Sequence, residues 1–332
     1  MIIEIKKGTS SAQIKALVEH YDAIYYCRAG KSVAVTASKE QELDPKFANI
    51  AERAVAVPND IQLASRVYRN EVREIDLGPV KIGGSTSNTV FISGPCSVES
   101  EEQIVTVSEK LVSLGIKILR AGCYKPRTSP YSFQGMGLDG LKLLSKMRER
   151  YGLAVITEVR DSTHVDEVIE HSDIIQIGAK AMYDQGILKR SGESNKPVLL
   201  KRGFGTTLQE FVQAAEFILS KGNENVILCE RGIRTFETNT RFTLDLCGVA
   251  FLKEKTNLPV IVDPTHAMGY AYGVADLTRA SAAMGVDGLL IEAHPNPKIA
   301  KSDAAQQLDL DSLEALRKSL DPVAAAVGRR MV

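Results

Sequence analysis

Polar or reactive side chains stand at the carboxyl end of eight short apolar segments in the second part of the chain. In order, they are Cys96, Arg120, Glu158, Gln176, Lys201, Arg231, Asp263 with His266, and Glu292. Charged residues commonly begin loops, and that would explain any one of them. It explains the whole series less well, because buried Arg and Lys side chains need anionic partners. The pattern therefore indicates a site assembled from the ends of several segments.

A thiol, an imidazole and two carboxylates form one chemical group within this series and the loop that follows it. The four residues are Cys96, His266, Glu292 and Asp303. A mixed set of sulfur, nitrogen and oxygen donors suits a divalent ion such as Mn²⁺, Fe²⁺, Co²⁺ or Zn²⁺. The four lie on different segments, so no local ligand spacing supports a metal site, and a single buried cysteine is more often a small apolar residue. The metal site depends on the fold bringing them together.

A second group in the same region is basic. Its members are Arg120, Lys125, Arg127, Lys180, Lys201, Arg202 and Arg231. Gathered at one place, these cations would bind phosphates and carboxylates. Solvated surface charges are the alternative, and they fit Arg202 equally well. They fit Lys201 less well, because it closes the apolar run PVLLK. We interpret the group as an anion-binding site.

Composition limits the class of protein. With 44% hydrophobic residues the chain can form a sizeable core, and its 41 basic residues balance 41 acidic ones, so it has no overall positive field for nucleic acid. The apolar runs are too short to span a bilayer, and the start MIIEIKKGTS has no features of a secretory signal. Five scattered cysteines without a CxxC pair are typical of reduced thiols. We expect a cytoplasmic protein without nucleic-acid or membrane partners.

The region from residue 88 to 332 alternates strand and helix patterns eight times. The strand segments are TVFISG, IKILRAG, AVITEV, IIQIGA, PVLLKR, NVILCE, PVIVDP and GLLIEA. Near-continuous apolar runs are typical of parallel strands covered on both faces. Eight such units predict a (β/α)₈ TIM barrel, which takes about 250 residues, with a doubly wound open sheet as the alternative. In barrels, active sites lie at the carboxyl ends of the strands, where the polar series falls.

The first residues predict a separate small domain. Residues 1–60 have a ferredoxin-like βαββαβ pattern, with a hairpin turn at Ala29-Gly30-Lys31 and a second helical stretch near 43–51. Residues 61–87 read as a linker and a short hairpin, REIDLGPVKIGG. The sequence therefore predicts an α/β protein in which a ferredoxin-like domain precedes the barrel.

Several of these segments together carry a family resemblance. The motifs are GPCSVES, RAGCYKPRTSPYSFQG, ITEV, IIQIGA, KPVLLKRGF, CERGIRTFE, VDPTHA, and IEAHPNP followed by KSDAAQQL. In this order they resemble 3-deoxy-D-arabino-heptulosonate 7-phosphate (DAHP) synthases, and most closely the type I-beta branch. Some members of that branch carry an N-terminal ferredoxin-like regulatory domain. KPRTSPYSFQG and ERGIRTFE are long enough that a chance match is negligible.

The resemblance implies a condensation of phosphoenolpyruvate with erythrose 4-phosphate, the first step of the shikimate pathway to aromatic amino acids. It implies that the metal ligands are Cys96, His266, Glu292 and Asp303. It implies that phosphoenolpyruvate is bound by Arg120, Lys125, Lys201 and Arg231, and we place Lys180 with the substrate-binding residues. It assigns the aldehyde phosphate to Lys125, Arg127, Thr128 and Ser129 with Asp303, and places Glu158, Gln176 and Asp263 with the substrate-binding residues.

Three residues are expected to act in catalysis: Lys125, Cys96 and His266. A divalent metal, most simply Mn²⁺, would polarise the aldehyde or activate water, and the residues leave both roles open. Lys125 is a candidate general acid, and we expect the surrounding cations to lower its pKa.

Two departures from the family pattern lie near the substrates. Lys180-Ala181 stands where the family usually has Arg-Asn, and AMGYAYGVADL lacks the basic residues common after the metal-binding histidine. A lysine offers a point charge where arginine offers a planar fork. A related synthase that uses another aldose phosphate, such as an octulosonate 8-phosphate synthase, is therefore an alternative.

A catalytically inactive barrel, acting as a ligand sensor or as a partner of chorismate mutase, is the alternative of another class. The intact set of four donors argues against it. The resemblance further implies a homo-oligomer, dimer or tetramer, and an aromatic amino acid effector such as Tyr or Phe.

Overall fold

The computed structural model describes residues 1–125, 129 and 131–332. Its N-terminal region is a four-stranded antiparallel sheet with one helix. The elements are β1 (Ile2–Ile5), α1 (Ser11–Tyr21), β2 (Ile24–Arg28), β3 (Lys31–Val35) and β4 (Ala51–Val55). Strand β3 lies between β1 and β2, so β1, α1 and β2 form the split βαβ unit of a ferredoxin-like domain.

The second helix of the predicted βαββαβ pattern is only a 3₁₀ turn, Pro45–Phe47. The side chain of Asp44 accepts a hydrogen bond from the Lys46 amide and starts the turn. Phe47 and Ile50 are both buried in the small core of this domain. Because this one turn already buries the segment's large apolar side chains, a longer helix over 43–51 has no further apolar stripe to pack.

The predicted short hairpin closes one end of the barrel. It consists of β5 (Glu74–Asp76) and β6 (Lys81–Gly83), which pair in antiparallel fashion. The buried side chains of Ile75 and Ile82 belong to one cluster with residues at the starts of the barrel strands, such as Val90. The hairpin therefore fills the amino-terminal end of the barrel and leaves the carboxyl ends of the strands to form a site.

Eight parallel strands form the closed barrel. They are β7 (Asn88–Gly94), β8 (Ile118–Arg120), β9 (Ala154–Val159), β10 (Ile174–Ile177), β11 (Val198–Lys201), β12 (Val226–Glu230), β13 (Val260–Val262) and β14 (Gly288–Glu292). Strand β14 pairs with β7, with Leu290 opposite Ile92, which closes the sheet. The (β/α)₈ prediction is confirmed, and the open doubly wound sheet is excluded.

Helices surround the barrel and bury its outer face. They are α2 (Glu101–Ser113), α3 (Leu138–Tyr151), α4 (Val165–His171), α5 (Gln185–Glu193), α6 (Leu208–Leu219), α7 (Leu246–Lys255), α8 (Pro264–Met268), α9 (Ala271–Ala283) and α10 (Leu310–Ala326). A last short strand, β15 (Arg330–Met331), runs beside β7. Within the part of the chain that the structure describes, none of these helices has both the length and the apolar character of a membrane span.

The N-terminal sheet and the linker are bound to the barrel helices by partly buried polar contacts. Arg28 Nη1, on β2, donates a hydrogen bond of 2.7 Å to the carbonyl of Gly192 at the end of α5. The Glu216 carboxylate, on α6, accepts hydrogen bonds from the amides of Leu63 and Ala64 at 3.1 and 2.8 Å. These contacts satisfy backbone groups that the linker would otherwise bury without partners.

Candidate active site

The structure brings the series of polar residues to one end of the barrel. Arg120, Lys201 and Glu292 are the last residues of β8, β11 and β14. The others lie in the final residues of their strands or just beyond them. These are Cys96, Glu158, Gln176, Arg231, Asp263 and His266. Since all eight strands are parallel, their carboxyl ends meet, and side chains far apart in sequence surround one space.

Cys96, His266, Glu292 and Asp303 meet at this end, and we call them the donor cluster. Cys96 Sγ lies 3.4 Å from Asp303 Oδ2. His266 Nε2 lies 3.5 Å from Glu292 Oε1 and 3.9 Å from Asp303 Oδ2. One ligand atom each from Cys96, Glu292 and Asp303 lies within 4.8 Å of the other two. This set of thiol, imidazole and carboxylates fits a borderline divalent cation.

Asp263 orients the imidazole of the cluster. It precedes helix α8, and its Oδ1 accepts a hydrogen bond of 3.0 Å from the His266 amide. Its Oδ2 lies 2.8 Å from His266 Nδ1 and 2.5 Å from Lys201 Nζ. A carboxylate on Nδ1 sets the ring so that Nε2 faces the acidic members of the cluster. Asp263, which we predicted to bind substrate, thus contacts the histidine and a buried lysine.

Burial and charge set the protonation of the donor cluster. Burial raises the pKa of the Cys96 thiol to about 12, and the Glu292 carboxylate adds to that effect. Burial lowers the pKa of His266, which favours the neutral ring. Burial alone would raise the pKa of Asp303, but His266 and Arg241 outweigh it and hold that pKa below its usual range. The cluster therefore contains charged carboxylates, a neutral imidazole and a thiol that an approaching cation would deprotonate.

A cation-lined cavity of about 120 Å³ adjoins the donor cluster. His266 and Asp303 belong to its wall. The cations of the wall are Lys125, Lys180, Lys201, Arg231 and Arg241. Glu158 and Gln176 also line it, and Gly178 lets Glu158 extend, because a Cβ at Gly178 would lie 1.9 Å from Glu158 Oε1. The cavity thus places positive charge beside the potential metal ligands.

Lys125 is buried between the cluster and the cavity. Its Nζ donates a hydrogen bond of 3.0 Å to the Cys96 carbonyl and lies 4.0 Å from Glu158 Oε2. Burial lowers its pKa, but Cys96 and Glu158 more than offset that effect, so the pKa is raised. Our expectation of a lowered pKa was wrong, because Cys96 and Glu158, next to the ammonium, outweigh burial and the neighbouring cations. Lys125 is therefore a protonated side chain.

The two buried arginines nearest the site differ in their partners. Arg120 Nη1 donates hydrogen bonds of 2.8 Å to the Pro95 carbonyl and to Glu292 Oε1, so it is paired with the donor cluster. Arg231 is 4% exposed, and its Nε and Nη1 have no hydrogen-bond partner among the described residues. Its guanidinium lies over the Phe242 ring at 4.4 Å. Arg231 therefore presents unsatisfied donors beside the cavity that it lines, as an anion site requires.

The remaining predicted residues are placed differently. Arg127 and Thr128 lie outside the described residues. Ser129 accepts a hydrogen bond from the Tyr131 amide through its hydroxyl, a contact within its own loop. Arg202 is bound to Glu230 and Asp245 at 2.9 and 2.8 Å, so its charge is matched within the fold.

Among the side chains that touch the donor cluster and that sequence reasoning missed are Gln306 and Arg241. Gln306 Nε2 donates a hydrogen bond of 2.6 Å to Glu292 Oε2, and Arg241 Nη1 donates one of 2.6 Å to Gln306 Oε1. Gln306 lies within the motif KSDAAQQL, three residues after Asp303, which is a local signal. Arg241 lies on the loop after β12 and had no signal beyond its charge.

The fold and this site define a (β/α)₈-barrel enzyme whose functional groups stand at the carboxyl ends of the strands. The sequence profile of the DAHP synthetase I family matches residues 64–327. The chain belongs to this family, and the resemblance to DAHP synthases drawn from its motifs is confirmed.

Comparison with individual proteins supports the same family. The chain is 40% identical to a phospho-2-dehydro-3-deoxyheptonate aldolase of Thermotoga maritima, over 99% of both chains. A crystal structure of this aldolase (DAHP synthase) from Thermotoga maritima has a TM-score of 0.80 and 39% identity, covering 100% of this chain and 98% of that one. A 2-dehydro-3-deoxyphosphooctonate aldolase of Geobacter sulfurreducens is 33% identical over 77% of this chain and 99% of its own.

Proposed function

We propose that the protein condenses phosphoenolpyruvate with erythrose 4-phosphate and water to give DAHP and inorganic phosphate. The observation that carries this proposal is the donor cluster beside a cavity that five cations of the described residues line. The choice of aldehyde follows the relatives. The heptonate aldolase matches 99% of this chain, including its N-terminal domain, whereas the octonate aldolase matches 77%.

The cations of the cavity would bind the anionic groups of the substrates. Arg231 offers to the phosphate or carboxylate of phosphoenolpyruvate its Nε and Nη1, which have no partner in the part of the chain that the structure describes, and Lys201 stands on the same wall. Lys180 is exposed at the rim and would contact phosphate as a point charge. A protein of zero net charge can bind two phosphorylated substrates in this way, because its positive charge is local.

The reaction forms a carbon–carbon bond and a bond between C2 and the oxygen of water, and it breaks the bond between C2 and the phosphate oxygen. C3 of phosphoenolpyruvate attacks the aldehyde carbon, and positive charge develops at C2. Water adds at C2, and the resulting hemiketal phosphate expels inorganic phosphate. The aldehyde oxygen must gain a proton as the first bond forms. Protonated Lys125 is placed to give it, because it lines the cavity and lies against Cys96.

The donor cluster fits a divalent cation by the chemistry of its donors, and we propose Mn²⁺. The residues that would hold it are Cys96, His266, Glu292 and Asp303. A bound divalent ion supplies either polarisation of the aldehyde oxygen or a more acidic water. Asp263 holds the His266 ring in place, and Arg120 balances the charge of Glu292.

Several further expectations remain predictions of this proposal. They are the domain limits 1–60, 61–87 and 88–332, the cytoplasmic location, a homo-oligomer, and inhibition by an aromatic amino acid. Light scattering of the purified protein measures its oligomeric state. Assays with added Tyr or Phe test the effector.

The experiment is a substrate panel with metal removed and restored. Protein stripped with a chelator receives Mn²⁺ and phosphoenolpyruvate with erythrose 4-phosphate, arabinose 5-phosphate or ribose 5-phosphate, and release of inorganic phosphate is measured. We expect turnover with erythrose 4-phosphate that requires the added metal. Turnover with arabinose 5-phosphate alone would instead establish an octulosonate-type synthase. No turnover with any aldose would favour the non-catalytic sensor.

A further inference from the structure

Gln306 is a buried amide whose hydrogen-bonding groups all face the donor cluster and its surroundings. The side chain is 2% exposed. Its Nε2 donates to Glu292 Oε2 at 2.6 Å and to Asp303 Oδ2 at 3.4 Å. Its Oε1 accepts from Arg241 Nη1 at 2.6 Å. One neutral side chain thus joins the end of β14, the loop that carries Asp303 and the loop after β12.

The neighbours of Gln306 determine which way its amide points. A guanidinium only donates hydrogen bonds, so the oxygen of the amide must face Arg241. Ionised carboxylates only accept, so the NH₂ group must face Glu292 and Asp303. The flipped orientation would oppose an oxygen to two carboxylates and an NH₂ group to a cation. The orientation of this buried amide is therefore fixed by the charges around it.

A neutral donor has a particular advantage between two acidic ligands. Ligand atoms of Glu292 and Asp303 lie within 4.8 Å of each other and repel when both are ionised. A lysine or arginine between them would relieve the repulsion, but its charge would compete with a bound cation. An amide fixes the spacing of the two oxygens without adding a further positive charge beside the ion.

Arg241 connects this amide to the anion-binding side of the cavity. It lies 3.8 Å from Asp303 Oδ2, and its guanidinium is 5.8 Å from the Phe242 ring centroid. The same ring lies against Arg231. The contacts of Gln306 therefore extend to the residue that we expect to bind substrate anions.

We propose that Gln306 is a positioning residue that holds Glu292 and Asp303 at the spacing a divalent cation requires. This inference rests on the proposed function, since it assumes that the donor cluster binds a metal. Outer partners of metal ligands typically change metal affinity about 10- to 100-fold when they are removed. We expect a loss of that size when Gln306 loses its amide.

The test compares Mn²⁺ binding by full-length Gln306→Leu and wild type, measured by calorimetry without substrates. Gln62→Leu is the matched control. Gln62 is also a buried glutamine with two hydrogen bonds, to the N-terminal amine and to the Thr36 carbonyl, and it lies in the linker. We expect Gln306→Leu to weaken Mn²⁺ binding about 10- to 100-fold and Gln62→Leu to leave it unchanged. The absorption spectrum of the Co²⁺-loaded protein should change only in Gln306→Leu, because its ligand geometry changes.

The outcomes separate this inference from the proposed function. Mn²⁺ affinity of Gln306→Leu within about twofold of wild type, or a loss equal to that of Gln62→Leu, overturns the positioning role alone. Wild type that binds no Mn²⁺ overturns the metal site of the proposed function, and the inference with it. Should Gln306→Leu not fold, Mn²⁺ binding by Gln306→Asn is measured instead. This variant keeps an amide, but its shorter side chain cannot reach both carboxylates, so the same weakening of Mn²⁺ binding is expected.

Discussion

Replacing Arg231 by methionine should separate stability from ligand binding. In the free protein this arginine is buried with two guanidinium nitrogens that lack hydrogen-bond partners among the described residues. An unsatisfied buried donor costs about 1–3 kcal/mol. The contact with the Phe242 ring returns about 0.5–2 kcal/mol. With two such nitrogens the cost of about 2–6 kcal/mol exceeds what the ring contact returns, so Arg231→Met should not lower the free energy of unfolding of the free protein.

The same substitution should greatly weaken substrate binding. Truncating one member of a buried, hydrogen-bonded charge pair costs about 2–5 kcal/mol of binding free energy. At 1.4 kcal/mol per tenfold, this corresponds to a loss of at least about 30-fold in affinity for phosphoenolpyruvate. Calorimetric titration with phosphoenolpyruvate measures the affinity. Urea denaturation with and without this ligand measures both stabilities, and the stabilisation by saturating ligand should be about 2 kcal/mol smaller in Arg231→Met than in wild type.

Arg202→Met is the matched control for this prediction. Arg202 is also 4% exposed, but its guanidinium is paired with Glu230 and Asp245. Removing it leaves buried carboxylate charge unpaired, which should cost about 3–5 kcal/mol of stability. If Arg231→Met destabilises the free protein as much as Arg202→Met does and binds phosphoenolpyruvate like wild type, Arg231 is a structural residue and the reasoning is refuted.

Two further substitutions test the linker and the histidine. Burial raises the pKa of Glu216 to about 7. A raised pKa means that the folded state favours the protonated form, so its contribution is present below the unfolded pKa of about 4.3 and is lost as pH rises through about 7. Relative to Glu216→Gln, wild type should lose up to about 3 kcal/mol of unfolding free energy between pH 5 and 8.5, and parallel urea-denaturation profiles would contradict this. Asp263→Asn leaves Lys201 without its carboxylate and His266 without its anchor, so we expect about 3–5 kcal/mol lower stability and about 10- to 100-fold weaker Mn²⁺ binding. If Asp263→Asn has the unfolding free energy and the Mn²⁺ affinity of wild type, Asp263 neither balances the charge of Lys201 nor positions His266.

The sequence alone was sufficient to predict the barrel fold and the end of the barrel at which the site lies. Eight apolar runs, each closed by a polar residue, correspond to the eight strands of the structure. This works because a strand covered on both faces must be apolar throughout, while its carboxyl end may carry functional groups. In a closed barrel of parallel strands the carboxyl ends lie together. This is why the side chains of four distant residues come close to one another: Cys96, His266, Glu292 and Asp303.

What each charged side chain does was decided only by the tertiary structure. Arg202 and Arg231 are both buried arginines just after a strand, yet one is paired by two carboxylates and the other faces a cavity. Lys125 keeps its proton because Cys96, Glu158 and Glu292, which come from other parts of the chain, lie near its ammonium. Gln306 lies in a motif of the sequence, but the contact of its amide with Glu292 is set by the tertiary structure. Hydrophobic patterning is local and can be read along the chain, whereas electrostatic pairing depends on distances of a few ångströms between residues far apart in it.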